Sequence, residues 1–382
     1  MEIKEIRQAV DNGEITAISI DTCIIEGKGY HFESGLLKKV RQFKNSPVQF
    51  IFAEVVYREV IAHLQDKEDR VVKGLDSALN NIGHLWNIDK ADKARIRKLA
   101  RIPIKSGDWA KNQVDKYLSE TGGMYIKAAN ISVHKLIESY FSCSPPFASG
   151  KDKKHEFPDA FALFSLEAWA EENKTKVLLV SGDKGWRDFA SKSEYLLCLD
   201  NLADGLSCFQ NEEGVYLLDE FVRDSNGVIL MEIEREIREK VDSIFDIQIT
   251  ADSVFEYDYE VDQVEVDTVE FEKPANLGVE VVEYDQEHDI LAATVTVDVD
   301  LVIGAHFQFF IWDSLDKEYI PFGSRSYSST WSGPIEALLT ICGIQSKNPE
   351  IDNVEIEASE VNVFFDSVEP NLGDKRDDYD WV

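Results

Sequence analysis

Two hydrophobic periods divide the chain. In the first half, short apolar runs alternate with amphipathic stretches, and residues 157–172 predict an amphipathic helix. The apolar runs that predict buried strands cover residues 15–25, 48–52, 177–181 and 195–199. Residues 66–140 look helical throughout. Strands that alternate with helices are typical of a parallel sheet flanked by helices, so an α/β domain is predicted.

The second half follows a period of two, which predicts a mainly antiparallel β domain. Residues 294–301 alternate strictly between apolar and polar. Residues 254–271 also alternate, but their phase flips, which predicts a turn or bulge near Asp262. Further predictions are a hairpin turn at 285–289, one helix around 335–341, and a strand pair or one bent strand over 354–368.

Charge supports the same division. The chain carries 72 acidic and 40 basic residues, a net charge of −32. Residues 241–382 hold 33 of the acids and only 6 of the basic residues. The predicted domains are an α/β domain over 1–215, a helical linker over 216–243 and an acidic β-rich accessory domain over 244–382. The acidic total excludes a general basic coat for nucleic acid, whereas the first part is nearly balanced.

Cysteine usage and hydropathy indicate a cytoplasmic protein. The five cysteines show no CxxC spacing, which suits free thiols in a reducing compartment and argues against a thiolate zinc site. The amino-terminal segment lacks an apolar secretory core, and no apolar run approaches the roughly 20 residues of a membrane span. No contact with a membrane is expected.

Four acidic residues stand out by their context. Asp21 lies in an apolar strand, Glu59 on the helix after the second strand, Asp159 in the first turn of a helix, and Asp183 just after a strand. Sites in open parallel sheets form beyond the carboxyl ends of the strands, where these side chains can converge. Clustered carboxylates repel one another, and a hard cation such as Mg²⁺ or Mn²⁺ offsets that repulsion. Such a site suits metal-assisted phosphodiester hydrolysis.

Each acid also has an ordinary structural explanation. Asp159 follows Pro158, as helix starts favour, and Asp183 is a normal helix cap. Glu54, on the other side of the helix, competes with Glu59 for the same role. The hypothesis therefore depends on the four acids together, in this order and on these elements.

At these residues the chain resembles the PIN-domain nucleases. IDTCII supplies Asp21, EVVYREV supplies Glu59, FPDAFAL supplies Asp159, and SGDKGW supplies Ser181 and Asp183. The resemblance covers about residues 15–205 and is closest to a bacterial subgroup that reads EFPDA before the third acid. It implies a nuclease that uses Mg²⁺ or Mn²⁺ and acts most often on RNA, with these four acids as catalytic and metal-binding residues.

Three neighbours are expected to support these acids. The hydroxyl of Ser181 is placed to orient a carboxylate or a metal-bound water, and Thr22 is a weaker candidate for the same task. Glu156 lies one helical turn before Asp159, either at the same site or as a solvated loop acid.

The sequence departs from the family pattern at two places. The spacing of 100 residues between Glu59 and Asp159 implies a helical insertion at about 66–140. Gly185 stands where the family often has a further acid, and Asp188, five residues after Asp183, is a candidate substitute from the helix. If Asp188 does not take that role, one tightly held ion is the expectation.

Two basic clusters are candidates for binding nucleic acid. One lies in the insertion, flanked by Trp86 and Trp109, whose rings could stack on unpaired bases. The other immediately precedes the third acid. The candidate phosphate contacts are Lys93, Arg95, Arg97, Lys98 and Arg101 in the first cluster and Lys153 and Lys154 in the second. The alternative for the first cluster is a solvated amphipathic helix.

The function hypotheses come from two classes. The first is an endoribonuclease acting on single-stranded or structured RNA such as tRNA; by analogy with the family it would be a toxin or anti-phage effector. The second is a catalytically inactive PIN-like scaffold or regulatory subunit. A haloacid-dehalogenase-type phosphatase needs an acid where Cys23 stands, and phosphate-binding glycine loops are absent. The β domain is expected to dock a protein partner, dimerise or restrain the nuclease domain, and the alternative is a solvated accessory domain.

Overall fold

The computed structural model describes residues 3–86, 89–99, 108–128, 131–147, 156–270, 279–313, 317–357 and 359–371. The chain forms two compact units, residues 1–210 and residues 211–382. In the part of the chain that the structure describes, no helix combines the length and apolar character needed to cross a membrane.

A five-stranded parallel sheet organises the first unit. Its strands, in the order β3-β2-β1-β4-β5, are β1 Ile15–Ile20, β2 Gln49–Ala53, β3 Met124–Ile126, β4 Lys176–Val180 and β5 Leu196–Leu199. Ile18 of β1 and Leu178 of β4 are fully buried and lie opposite each other in register. Strands covered on both faces need apolar side chains on both, which explains the continuous apolar runs and confirms the predicted α/β fold class.

Helices surround this sheet. They are α1 Ile3–Asp11, α2 Thr22–Gly27, α3 Gly35–Lys39, α4 Glu54–Trp86, α5 Lys90–Leu99, α6 Asp108–Thr121, α7 Val133–Ser142, α8 Phe157–Asn173, α9 Lys184–Ala190 and α10 Leu202–Ser207. A 3-10 helix follows α3 at Val40–Asn45.

The prediction that residues 66–140 are helical throughout is wrong at one point. The short strand β3 lies in this segment and pairs with β2 at the edge of the sheet. Tyr117 of α6 is also buried, and its ring packs against Phe32 and Phe50. Part of the predicted insertion therefore belongs to the core, whereas α5 has no buried residue.

The first strand is shorter than its apolar run. β1 ends at Ile20, and the chain turns at Asp21 into α2 instead of continuing to residue 25. Ile20 lies opposite Val180 of β4, and the Asp21 N–H donates to the Val180 carbonyl at 2.9 Å. The ends of β1 and β4 therefore coincide, and residues just after them meet.

The second unit is mainly antiparallel β structure, as predicted. Its strands are β6 Phe245–Ala251, β7 Glu256–Glu270, β8 Val279–Asp285, β9 Ile290–Asp313, β10 Glu318–Cys342, β11 Glu350–Ile356 and β12 Ser359–Phe365. The register of β7 on β9 shifts between Val261 and Gln263, which confirms the bulge near Asp262. The turn between β8 and β9 confirms the hairpin predicted at 285–289.

Two other predictions for this unit need correction or refinement. The predicted helix at 335–341 is wrong, because these residues form the end of β10 between β9 and β11. The segment 354–368 contains parts of two strands and not one bent strand. These strands lie in different sheets, and β12 pairs with β6 in parallel.

One long helix, α11 Glu212–Ile244, covers the region predicted as a helical linker. It belongs to the second unit. Its buried residues Phe221, Ile229 and Ile233 form a core with odd-numbered residues of β9 such as Val297 and Phe307. The amphipathic helix and the alternating strand thus supply the two halves of one hydrophobic core.

Candidate active site

The four acids predicted from the sequence lie at the ends of sheet strands and on two helices. Asp21 follows β1, and Asp183 follows β4. Glu59 lies near the start of α4, and Asp159 lies in the first turn of α8. Hydrogen bonds through Thr22, Ser181 and Trp186 connect all four.

Asp21 is the most enclosed of the acids, at 5% exposure. Its Oδ1 accepts from the Thr22 N–H at 2.6 Å, which caps α2. Its Oδ2 accepts from the Ser181 hydroxyl at 2.6 Å and from the Cys23 thiol at 3.1 Å. Three donors therefore fix both oxygens of this carboxylate in one orientation.

Ser181 joins Asp21 to Asp183. The Ser181 side chain is fully buried; it donates to Asp21 and accepts from the Asp183 N–H at 3.0 Å. Asp183 in turn caps α9, because its Oδ1 accepts from the N–H groups of Gly185 and Trp186. The second carboxylate oxygen of Asp183 takes no part in this cap, and the residue is exposed.

Thr22 joins Asp21 to Glu59. Its hydroxyl donates to Glu59 Oε2 at 3.1 Å, while its N–H binds Asp21. Glu54, the competing candidate, is held elsewhere: it pairs with Arg58 at 2.7 Å and accepts from the Ala128 N–H. The structure therefore brings Glu59, and not Glu54, to Asp21.

Trp186 joins Asp183 to Asp159. The Trp186 N–H donates to Asp183, and its fully buried indole donates through Nε1 to Asp159 Oδ1 at 2.9 Å. Since Trp186 lies in the first turn of α9, the helix that Asp183 caps also positions Asp159.

Burial and mutual repulsion raise the pKa values of Asp21, Glu59 and Asp159. Burial is the largest cause for Asp159, whose pKa is raised to about 6, and the charges of Asp21, Asp183 and Glu59 raise it further. Burial also raises the pKa of Asp21, with a contribution from Asp183, and that of Glu59, with a contribution from Asp21. The site is thus a partly buried concentration of negative charge, of the kind that a cation stabilises.

The donor set fits a hydrated Mg²⁺ or Mn²⁺ better than a fully enclosed ion. All four side chains offer carboxylate oxygen, the donor that these hard cations prefer. Within the described residues, however, no three acidic, histidine or cysteine side chains form a group that could hold a metal ion. Mg²⁺ commonly uses one or two carboxylates and keeps several waters, so Asp159, Asp21 and their neighbours could hold it in that way.

The remaining predicted supporting residues are Glu156, just before α8, and Asp188, on α9. Glu156 precedes α8 without capping it by its side chain, and Asp188 is exposed on α9. Neither is among the main electrostatic influences on Asp21, Glu59 or Asp159. The substitution of Asp188 for the acid that the family often has at the position of Gly185 stays a prediction.

Two described residues of the basic cluster in the insertion contact α4, and two others are exposed. On α5, Lys93 binds Asn80 and Arg97 pairs with Asp76, so both hold α5 against α4. Arg95 and Lys98 are exposed. The other predicted phosphate contacts, Arg101, Lys153 and Lys154, lie outside the described residues.

Sequence reasoning missed Cys23 and Trp186 as members of the site. Cys23 is two residues from Asp21, but a thiol beside a carboxylate has no sequence signature. Its pKa is raised to about 12, chiefly by burial and then by the Asp21 charge. Trp186 had one usable signal, its place in the first turn after the Asp183 cap.

The first unit is an α/β domain whose acidic residues gather at the carboxyl ends of a parallel sheet. Residues 18–186 match the family model of the PIN domain. This unit therefore belongs to the PIN-domain family, as its resemblance indicated, and proteins of that family are generally nucleases. No curated protein and no solved structure matches the chain significantly.

Proposed function

We propose that the first unit is an Mg²⁺- or Mn²⁺-dependent endonuclease that hydrolyses phosphodiester bonds, with RNA as its substrate. The main support for this proposal is the series of hydrogen bonds that connects Glu59, Asp21, Asp183 and Asp159. The charges of the other three acids also raise the pKa of Asp159. A catalytically inactive scaffold would gain no stability from such repelling groups.

The roles of the residues follow from their contacts. Asp159 and Asp21 are the proposed cation ligands, with Asp183 and Glu59 completing the negative site. A bound divalent cation would supply charge stabilisation at the phosphate and a more acidic water. Ser181 and Thr22 keep the carboxylates oriented, since each binds two members of the site.

Substrate contacts are proposed for the exposed cations of α5. Arg95 and Lys98 would neutralise phosphates at a distance from the acids, whereas Lys93 and Arg97 are engaged with α4. Candidate substrates are single-stranded or structured RNA, including tRNA, and the cellular role proposed by analogy is that of a toxin or defence effector.

Cleavage assays with labelled RNA and labelled DNA test the proposal. Wild-type protein is expected to cut RNA with Mn²⁺ or Mg²⁺ and not with EDTA, and Asp159→Asn to lose the activity. Asp159→Asn is a cleaner variant than Asp21→Asn, because Asn keeps the oxygen that accepts from Trp186. At Asp21 an amide would face the Ser181 and Cys23 donors. Cleavage that persists in EDTA would overturn the proposal, and no cleavage of any substrate would favour a binding module.

The acidic second unit is proposed as a module for a protein partner or for restraint of the nuclease unit. A chain ending at Gln210 tests restraint. This boundary removes α11 together with the second unit, to whose core α11 belongs. If restraint operates, the shortened chain cleaves faster than the full chain; equal rates would exclude it.

Sequencing RNA ends from cells that express wild type or Asp159→Asn would identify the target.

A further inference from the structure

A group of aromatic rings that the proposed chemistry does not use lies between the end of α7 and the start of α8. Tyr140, Phe141, Phe147 and Phe157 form this aromatic cluster. Phe147 is buried at its centre, with its ring 5.3 Å from that of Tyr140 and 5.1 Å from that of Phe157. Tyr140 stacks on Phe157 at 5.1 Å with an angle of 27° between the rings.

The aromatic cluster adjoins the acid site through two segments. Phe157 is the first residue of α8, two positions before Asp159. Pro146, just before Phe147, packs at Gly185: a Cβ added to Gly185 would lie 3.4 Å from the Pro146 carbonyl oxygen and 2.9 Å from Asp183 Oδ1. The segments that carry the aromatic cluster therefore adjoin the segments that carry Asp159 and Asp183.

Phe141 is the exposed member of the cluster. Its side chain is 77% exposed, and its ring meets Tyr140 edge-on at 5.3 Å. An exposed phenyl ring costs solvation free energy unless something covers it. Tyr140 and Phe157, which are half-buried, connect it to the first turn of α8.

We propose that Phe141, supported by Tyr140 and Phe157, is a stacking site for an unpaired base next to the scissile phosphate. The inference rests on the proposed nuclease function and deepens it, because it selects single-stranded over double-stranded RNA. Aromatic side chains bind the faces of splayed bases, whereas bases within a duplex already stack on one another. The place of Phe157 in the same first turn of α8 as Asp159 favours nucleic acid over a protein partner as the occupant of the cluster.

Binding of a single-stranded oligoribonucleotide containing 2-aminopurine tests the stacking site. The full chain is used in EDTA at low salt, so that cleavage is not required for the measurement. Phe141→Ala is expected to weaken binding about tenfold and to abolish quenching of 2-aminopurine, and Phe141→Trp to restore both. The matched control is Ile137→Ala, one turn earlier on α7 and 49% exposed, which should bind as wild type does.

A second oligonucleotide separates bases from phosphates. With an abasic strand of the same length, Phe141→Ala and wild type should bind equally, because only stacking has been removed. Equal binding of the normal strand by Phe141→Ala and wild type would overturn the inference. So would loss of binding in Ile137→Ala together with a changed oligomeric state, which would assign the α7 face to a protein contact. A metal-dependent nuclease insensitive to Phe141→Ala would retain the proposed function without this site.

Discussion

The acids of the two units differ in their surroundings more than in their chemistry. Asp21, Glu59 and Asp159 are half-buried or buried, and burial raises the pKa of each. The second unit has many more acids, and along β7 they stand in an exposed row. This acid row of β7 consists of Glu256, Asp258, Glu260, Asp262, Glu265, Asp267 and Glu270. An exposed carboxylate is stabilised by water, whereas a buried one needs a specific partner.

The difference shows why net charge is a poor guide to function here. Most of the excess negative charge lies in residues 241–382, where the described carboxylates stand mainly on solvent-facing strand positions. Four of the acids in the first unit carry the candidate chemistry, because the sheet ends and shared hydrogen bonds hold them together. The acid row of β7 therefore supplies matched controls for each test of the acid site.

The largest expected effect is on cleavage. Asp159→Asn or Glu59→Gln should lower the rate of RNA cleavage about 10²-fold or more, since each removes a charge that would hold the cation. The measurement is single-turnover cleavage of labelled RNA in Mn²⁺. Glu260→Gln in the acid row of β7 is the control and should cleave at the wild-type rate. Equal losses in Glu260→Gln and Asp159→Asn would break the distinction between the two regions.

Removing the Ser181 bridge should have the next largest effect. Ser181→Ala leaves Asp21 with fewer donors and the Asp183 N–H without its partner. Outer residues of this kind typically contribute 10- to 100-fold, so cleavage should fall by about that range while Asp159 stays in place. Ser328→Ala, at an exposed position of β10, should change nothing. Full activity in Ser181→Ala would show that the bridge does not position the acids.

A smaller effect is expected on stability, with a defined pH dependence. The folded-state pKa of Asp159 is about 6, above its ordinary value of 3.8, so folding binds a proton at this group. The ionised carboxylate therefore costs stability, fully above pH 6 and not at all below pH 3.8. In EDTA at pH 8, Asp159→Asn should be more stable than wild type by about 1–2 kcal/mol.

Thermal unfolding of the two proteins measures this difference. The variant should melt about 2–6 °C higher than wild type at pH 8, and the gap should close as the pH falls towards 4. A variant that melts below wild type at pH 8 would show that the carboxylate of Asp159 is not in an unfavourable environment.

The smallest effect on stability is expected from substitutions in the acid row of β7. Glu260→Gln or Asp258→Asn changes an exposed side chain, so stability should stay within about 0.5 kcal/mol of wild type. Urea unfolding followed by circular dichroism can resolve that limit. A loss of several kcal/mol would mean that these acids hold specific structure, and the contrast between the regions would need revision.

The sequence was enough to predict the positions of the acids, but not the hydrogen bonds that connect them. Asp21 and Asp183 could be located because each follows a short apolar run whose end marks the edge of a buried sheet. The bond from Trp186 to Asp159 joins α9 to α8, and no local pattern records that contact. The thiol of Cys23 reaches Asp21 because the chain turns into α2 at Asp21, whereas the sequence predicted that β1 continues.

The errors in the fold have physical reasons as well. Residues 335–341 read IEALLTI and lie between β9 and β11, and Leu338 breaks their alternation because it is buried like its neighbours Ala337 and Leu339. A short segment with a broken alternation of this kind fits a strand or a helix equally. The strand β3 has only three residues, too few for any period to emerge.

Direct titration with Mn²⁺, followed by isothermal calorimetry at pH 7.5, tests the central claim. Three full-length proteins are compared: wild type, the double variant Asp159→Asn with Glu59→Gln, and the double variant Asp258→Asn with Glu260→Gln. Wild type and the β7 variant should show the same saturable binding, and the acid-site variant should lose it. Unchanged binding in the acid-site variant, with loss in the β7 variant, would contradict the account.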